Sequence, residues 1–172
     1  MRTTNTSKPV LARLPAWVPH AALQYLAHTE IGLPIQELKR KSGCHASTVL
    51  RQVRRFETRR DDPLIDAVLR KLGARLERQS SLPANDDKKG NAQMQAVVQD
   101  KNPDIKTLIK DAQRILRRLC ETGAVLAVAV DMEKAVVVRD GPHATNTRTA
   151  VVDRKIAEAM ALQDWISAEK VG

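Results

Sequence analysis

Ser47, Thr48, Arg51, Gln52, Arg54 and Arg55 fall within one nine-residue window of the segment GCHASTVLRQVRRFETRR (43–60). Their side chains offer one kind of chemistry, hydrogen bonding to anionic and base-edge acceptors. A guanidinium is a planar, permanently charged fork that fits a phosphate, or the N7 and O6 edge of guanine, with two parallel bonds. Hydroxyls and a carboxamide add donors and acceptors for phosphate oxygens or bases. The window holds no acid, base or nucleophile set for bond making, so its chemistry is recognition of a polyanion.

Such side chains act together only when one helical face carries them. Val49, Val53 and Phe56 repeat at i, i+4 and i+7, which gathers three apolar groups on one side of a helix and turns Ser47, Arg51, Arg54 and Arg55 outward. This helix is expected over about 46–59, with Ser47 and Thr48 in its first turn, where hydroxyls cap a helix or bond phosphate. Gly43 stands where a tight turn between two helices calls for positive φ, which costs glycine nothing. Upstream, PIQELKRKSG spaces Ile35 and Leu38 three apart, so a short helix can lay its stripe against the next, and AALQYLAHTE supplies a third helix near 20–30. Three helices with one exposed basic member make a helix-turn-helix, whose second helix enters the major groove of DNA. Lys39, Arg40 and Lys41 are then expected to reach the phosphate backbone alone, and His45, Thr48, Gln52, Arg54 and Arg55 either backbone or bases.

Charge is placed to match. The chain of 172 residues carries 29 Lys and Arg against 20 Asp and Glu, a net +9. Residues 1–80 hold 15 against 7 and residues 81–172 hold 14 against 13, so the first half carries +8 and the second +1. A charge serving solubility alone would spread evenly, whereas this asymmetry marks a phosphate-binding half. Without the preceding turn, the run Arg54, Arg55, Arg59 and Arg60 would read as an ordinary solvated face. Only four aromatic side chains are present, which disfavours a stacking surface for RNA or single strands and leaves Trp17 and Tyr25 for the core.

Along the chain, residues 1–14 are threonine-rich and aperiodic, a flexible arm whose Arg2, Lys8 and Arg13 read first as an ordinary basic tail and second as an arm for an adjacent minor groove. A helix-turn-helix domain is expected over 15–78. It is closed by a helix that Asp62 caps and Pro63 begins, with Leu64, Val68, Leu69 and Leu72 as its stripe. Residues 79–102, with Pro83 and Gly90, read as a linker with a short helical patch at 94–98. A second domain is expected over 103–172. Asn102 and Pro103 open a helix in which Ile105, Leu108, Ile109, Ala112, Ile115, Leu116 and Leu119 recur at helical spacing as far as Gly123. AVLAVAVDM and AVVVRD form a hairpin about Glu133 and Lys134, GPHATNTRT is a loop, and a helix follows over 151–162. With the chain stopping soon after Trp165 and Ile166, this second domain is expected to be winged-helix-like and cut short. The fold class is mainly α: an N-terminal helix-turn-helix bundle, a linker and a small winged-helix-like α+β domain.

Other function classes lack their residues. Cys44 and Cys120 are far apart and in no C-x-x-C pair, so neither a disulfide nor a zinc site is expected, and Cys44 is expected to be a small buried group. His45 beside Cys44 lacks further ligand-spaced groups, and His20, His28 and His143 are expected at the surface. Asp61 with Asp62, and Asp86 with Asp87, are adjacent pairs without a phosphate loop or nucleophile elbow, so no catalytic residue, metal or cofactor is expected. No signal peptide or membrane span is recognisable, which points to a cytoplasmic, nucleoid-associated protein.

GCHASTVLRQV has the Gly, Ser-Thr, Val and Arg spacing of helix-turn-helix units in invertases, resolvases and many bacterial regulators. A longer stretch, from LPAWVPHAALQYLAHTEIGLPIQELKRKSGCHASTVLRQVRRFETRRDDPLID through ILRRLCETGAVLAVAVDMEKAVVVRDG to VVDRKIAEAMALQDWI, resembles the α-proteobacterial helix-turn-helix regulators with a DUF6456 tail, a family that includes activators of gene transfer agent genes. The resemblance covers most of 14–166 and is carried by HASTVLRQVRR and RRDDPL. It implies a transcriptional activator that binds promoter DNA and contacts RNA polymerase through the omega subunit. The invertase-like pattern implies that Ser47 and Arg51 read base edges. Lys39 departs from that pattern, which has a small alanine there for close helix packing. The same residues also fit a non-specific architectural or recombination-accessory DNA-binding protein, or an adaptor whose second domain binds protein. Because one short helix-turn-helix rarely gives enough contact, a homodimer or a second DNA reader in the second domain is expected.

Overall fold

The computed structural model describes residues 14–80, 104–129, 131–140 and 146–169. The arm with Arg2, Lys8 and Arg13, the linker from residue 81 with its patch at 94–98, the pair Asn102 and Pro103, and His143 lie outside them. In chain order the elements are α1 (His20–Thr29), α2 (Ile35–Ser42), α3 (Ala46–Arg59), α4 (Pro63–Ser80), α5 (Ile105–Leu119), β1 (Ala124–Val128), β2 (Lys134–Asp140), β3 (Asn146–Asp153) and α6 (Arg154–Leu162). The fold is mainly helical, with one small antiparallel sheet in its C-terminal part.

Apolar spacing explains the first three helices. Ala27 of α1, Leu38 of α2 and Val49 of α3 meet in a small cluster that Leu33, Ile35 and Cys44 seal at its edge. On the other side of α3, Val53 and Phe56 turn toward Ala22, Tyr25 and Leu26, and the Tyr25 and Phe56 rings lie 5.9 Å apart. Leu14, Trp17 and Val18 pack into the same core from the lead-in to α1. His28 is half-buried rather than at the surface, because its Nδ1 bonds the Leu33 carbonyl at 2.8 Å and so fixes the turn into α2.

Asp62 is the cap that starts α4. Its Oδ1 accepts from the backbone N–H groups of Leu64 at 2.9 Å and Ile65 at 3.3 Å, which satisfies two donors a helix start leaves open. Its Oδ2 accepts from the Ala168 N–H at 2.7 Å, so the same carboxylate pins the far end of the chain to the α3–α4 corner. Leu64, Ile65, Val68, Leu69, Leu72 and Leu76 are all buried along α4.

The C-terminal part departs from the sequence reading in three places. First, Asp104 is the N-cap of α5 and the helix runs from Ile105 only to Leu119, with Cys120 as C-cap and the left-handed Gly123 in the turn beyond, while Ile105 and Ile109 stay 40% and 42% exposed. Leu108, Ala112 and Ile115 carry the burial, and Ile109 lies on the flank of that narrower stripe. Second, the segment read as a loop supplies β3, so the hairpin of β1 and β2 gains a third strand in the order β1-β2-β3. Third, α6 begins at Arg154, with Asp153 as N-cap, because residues 151–153 belong to β3. Ala135, Val137 and Val152 are buried under the helices, and every residue from Ile156 to Leu162 is buried.

One continuous set of buried side chains runs from Trp17 through Phe56 of α3 and the stripe of α4 to Ile115, Val137 and Met160. A buried carboxylate reinforces that joint. Glu158 of α6 is 3% exposed and pairs with Lys71 of α4 and, at 3.0 Å, with Arg154. Removing either cation would leave a poorly compensated charge in the interior.

Candidate nucleic-acid interface

The turn between α2 and α3 is built on Gly43, whose φ of 68° and ψ of 4° are left-handed. Its N–H closes α2 on the Lys39 carbonyl at 3.0 Å. A Cβ there would meet nothing within 4 Å, so the dihedral angle and not crowding calls for glycine. Cys44 is half-buried in the turn as a small group against the three-helix cluster.

His45 is the N-cap of α3. Its Nδ1 accepts from the Ser47 N–H at 3.4 Å and lies 2.8 Å from the Ser47 hydroxyl. Nδ1 is thus engaged at the helix start, and Nε2 is the ring nitrogen left to face an outside partner. Thus His45 and Ser47 act as a pair at the helix start, where the positive end of the helix dipole also favours an anion.

Along α3, Val49, Val53 and Phe56 face inward and the opposite face presents Ser47, Arg51 and Arg54 to solvent. Leu50 flanks that row and is 39% exposed. Sequence spacing had not singled it out, although an apolar residue off the inward stripe was its signal. Arg51 and Arg54 of α3, with Lys39 and Arg40 of α2, are exposed and their side chains have no partner among the described residues. Lys41 pairs with Glu37 at 2.8 Å. Lys39 is exposed while Leu38 is buried, so the long side chain stays out of the α2–α3 contact. Thr48 and Gln52 are half-buried, and the Gln52 Oε1 is enclosed without a hydrogen-bond partner among the described residues.

The last turn of α3 is engaged differently. Arg55 pairs with Asp164, and Arg59 pairs with the same carboxylate at 3.0 Å. Arg59 also donates to the carbonyls of Ala161 at 2.6 Å and Leu162 at 3.5 Å, at the negative end of α6, and its guanidinium lies 5.2 Å from the Phe56 ring centroid. Arg60 lies over the Tyr25 ring at 5.9 Å. Burial raises the Tyr25 phenol above its ordinary pKa, and Arg60 opposes the rise. The arginine run therefore divides: Arg51 and Arg54 face outward, while Arg55, Arg59 and Arg60 hold α3 against the rest of the molecule. Sequence could not show this division, because Asp164 and α6 lie about a hundred residues away.

No protein-family model, curated protein or solved structure matches this chain. What the interface can do follows from its own groups. The exposed row on α3 presents the forked cations of Arg51 and Arg54 over a few turns of helix, donors matched to phosphate and to guanine edges, beside a Ser47 hydroxyl already engaged by His45 Nδ1. Among the described residues, no group of three or more His, Cys, Asp or Glu is placed to hold a metal ion, and no helix is long and apolar enough to cross a membrane.

Proposed function

We propose that this chain is a sequence-specific DNA-binding transcription regulator that lays α3 in the major groove. The observation that carries the reading is the row Ser47, Arg51 and Arg54, outward-facing on a helix that follows a left-handed glycine turn, with both guanidinium groups free of partners among the described residues. Arg51 reads a guanine edge, Ser47 and His45 meet phosphate or base at the helix start, and Lys39 and Arg40 fix register on the backbone. The resemblance to helix-turn-helix activators with a DUF6456 tail supports a role at gene transfer agent promoters, with polymerase contact through the C-terminal part.

Selection of bound sites from a random duplex pool, repeated with Arg51→Ala, tests this directly. The expected result is one enriched motif for the wild type and loss of preference at a guanine-containing position in the variant, worth about 1 to 3 kcal/mol of discrimination. Binding without any enriched motif would instead identify a non-specific architectural protein, with affinity set by salt alone.

A further inference from the structure

The second half of the chain is nearly neutral as a whole, yet its charges are not mixed evenly in space. Helix α5 carries Lys106, Lys110, Arg114, Arg117 and Arg118 against Asp111 alone, while α3 carries four arginines against Glu57. With about 100° between successive residues, Lys106, Lys110 and Arg117 fall on the side of α5 opposite Leu108, Ala112 and Ile115. All three are exposed and their side chains have no partner among the described residues. Arg114 reaches Asp111 at 3.5 Å and the Val151 carbonyl at 3.3 Å, and Arg118 pairs with Glu121 at 2.9 Å.

The layout repeats that of α3. Buried Val49, Val53 and Phe56 correspond in spacing to buried Leu108, Ala112 and Ile115, and exposed Leu50 corresponds to exposed Ile109. Arg51, Arg55 and Arg59 correspond to Lys110, Arg114 and Arg118. An open groove of about 710 Å³ runs between the side chains of Lys110, Arg114, Arg117 and Arg118, with Asp111 and Glu121 on its wall.

We infer that the outward face of α5 is a second binding surface for duplex DNA, contacting the phosphate backbone through Lys106, Lys110 and Arg117. The inference rests on the duplex-binding reading of α3 and extends it. Charge complementarity favours DNA as the occupant. From Lys106 to Arg117 the stripe is about 16 Å long at 1.5 Å per residue, and a duplex presents one phosphate charge per about 1.7 Å of its axis. A protein-binding face would be expected to centre on aromatic anchors, and this stripe has none. A single helix-turn-helix also covers less DNA than specific complexes usually do, and a second cationic helix in the same chain supplies further contact.

The test is titration of the full chain against a labelled random-sequence duplex across a range of salt. Lys106→Gln, Lys110→Gln and Arg117→Gln together should flatten the slope of log affinity against log salt by about 2.7, at 0.9 for each phosphate that is no longer neutralised. The motif selected by α3 should persist. Gln113→Lys, on the same exposed face, should steepen the slope. Arg70→Gln with Arg78→Gln, exposed cations of α4, should leave it unchanged. An unaltered slope in the triple variant would overturn the inference and assign this face to an acidic protein instead; an equal change in the α4 control would also overturn it, as an effect of net charge. If the triple variant alone weakens binding while Arg51→Ala leaves site choice intact, the α5 surface stands and the role given to α3 falls. If the wild type binds no duplex, both fall.

Discussion

Asp164 occupies Arg55, which would otherwise join the outward arginines of α3, and Asp164→Asn isolates that competition. Asp164 has a φ of 68°, a left-handed conformation that asparagine tolerates as readily as aspartate, so the backbone should hold. The Arg55 and Asp164 side chains are 61% and 49% exposed, and a pair so placed contributes at most about 1 kcal/mol. Arg59 is 16% exposed and keeps its bonds to the Ala161 and Leu162 carbonyls, so α3 remains docked. The net loss of stability should stay within about 1 kcal/mol, a fall of no more than roughly 2–4 °C in melting midpoint for a chain of this size. Freed from its carboxylate, Arg55 can meet one more phosphate and steepen the salt slope by about 0.9. Circular dichroism melts and anisotropy titrations at several salt concentrations read both quantities. A midpoint that falls with no change in slope would refute the reasoning, because Arg55 would then lie away from the DNA backbone.

Three further substitutions probe other parts of the same reading. Gly43→Ala should cost about 1–2 kcal/mol from the left-handed dihedral alone, and Gly43→Asn less; equal losses in thermal melts would show that the dihedral is not the reason for glycine. Asp62→Ala should cost about 2 kcal/mol, combining a lost helix cap with the Ala168 N–H it strands, whereas Asp62→Asn should retain part of the cap, and a chemical-denaturation midpoint unchanged by Asp62→Ala would sink that account. Leu50→Ala should shift stability by less than about 0.5 kcal/mol yet weaken preference for thymine at one position of the selected site, since an exposed leucine can meet a thymine methyl; an unchanged site profile would remove Leu50 from the interface.

Local signals were legible where a single helix or turn decides them. The span of α3, the left-handed turn at Gly43 and the start of α4 at Asp62 and Pro63 each depend on neighbours within a few residues, and the structure has them where the spacing puts them. Strand β3 was hidden because Val151 and Val152 run directly into a helix whose residues from Ile156 to Leu162 are all buried, so no amphipathic period separates strand from helix. The division of the arginines depends on α6 and Asp164 docking from far along the chain, which local spacing does not encode. The basic stripe of α5 was masked by averaging, since acids elsewhere in residues 81–172 cancel its charge in any total.

The continuous core has a consequence for engineering. Phe56, Val53 and Tyr25 sit in the same buried set as Leu69, Ile115 and Met160. Transplanting α1–α3 alone into a foreign protein would strip that set of its partners and expose aromatic and aliphatic surface. Helix α3 is therefore not a cartridge. A variant with a new outward surface on α3 would have to exchange that row residue by residue and keep everything beneath it.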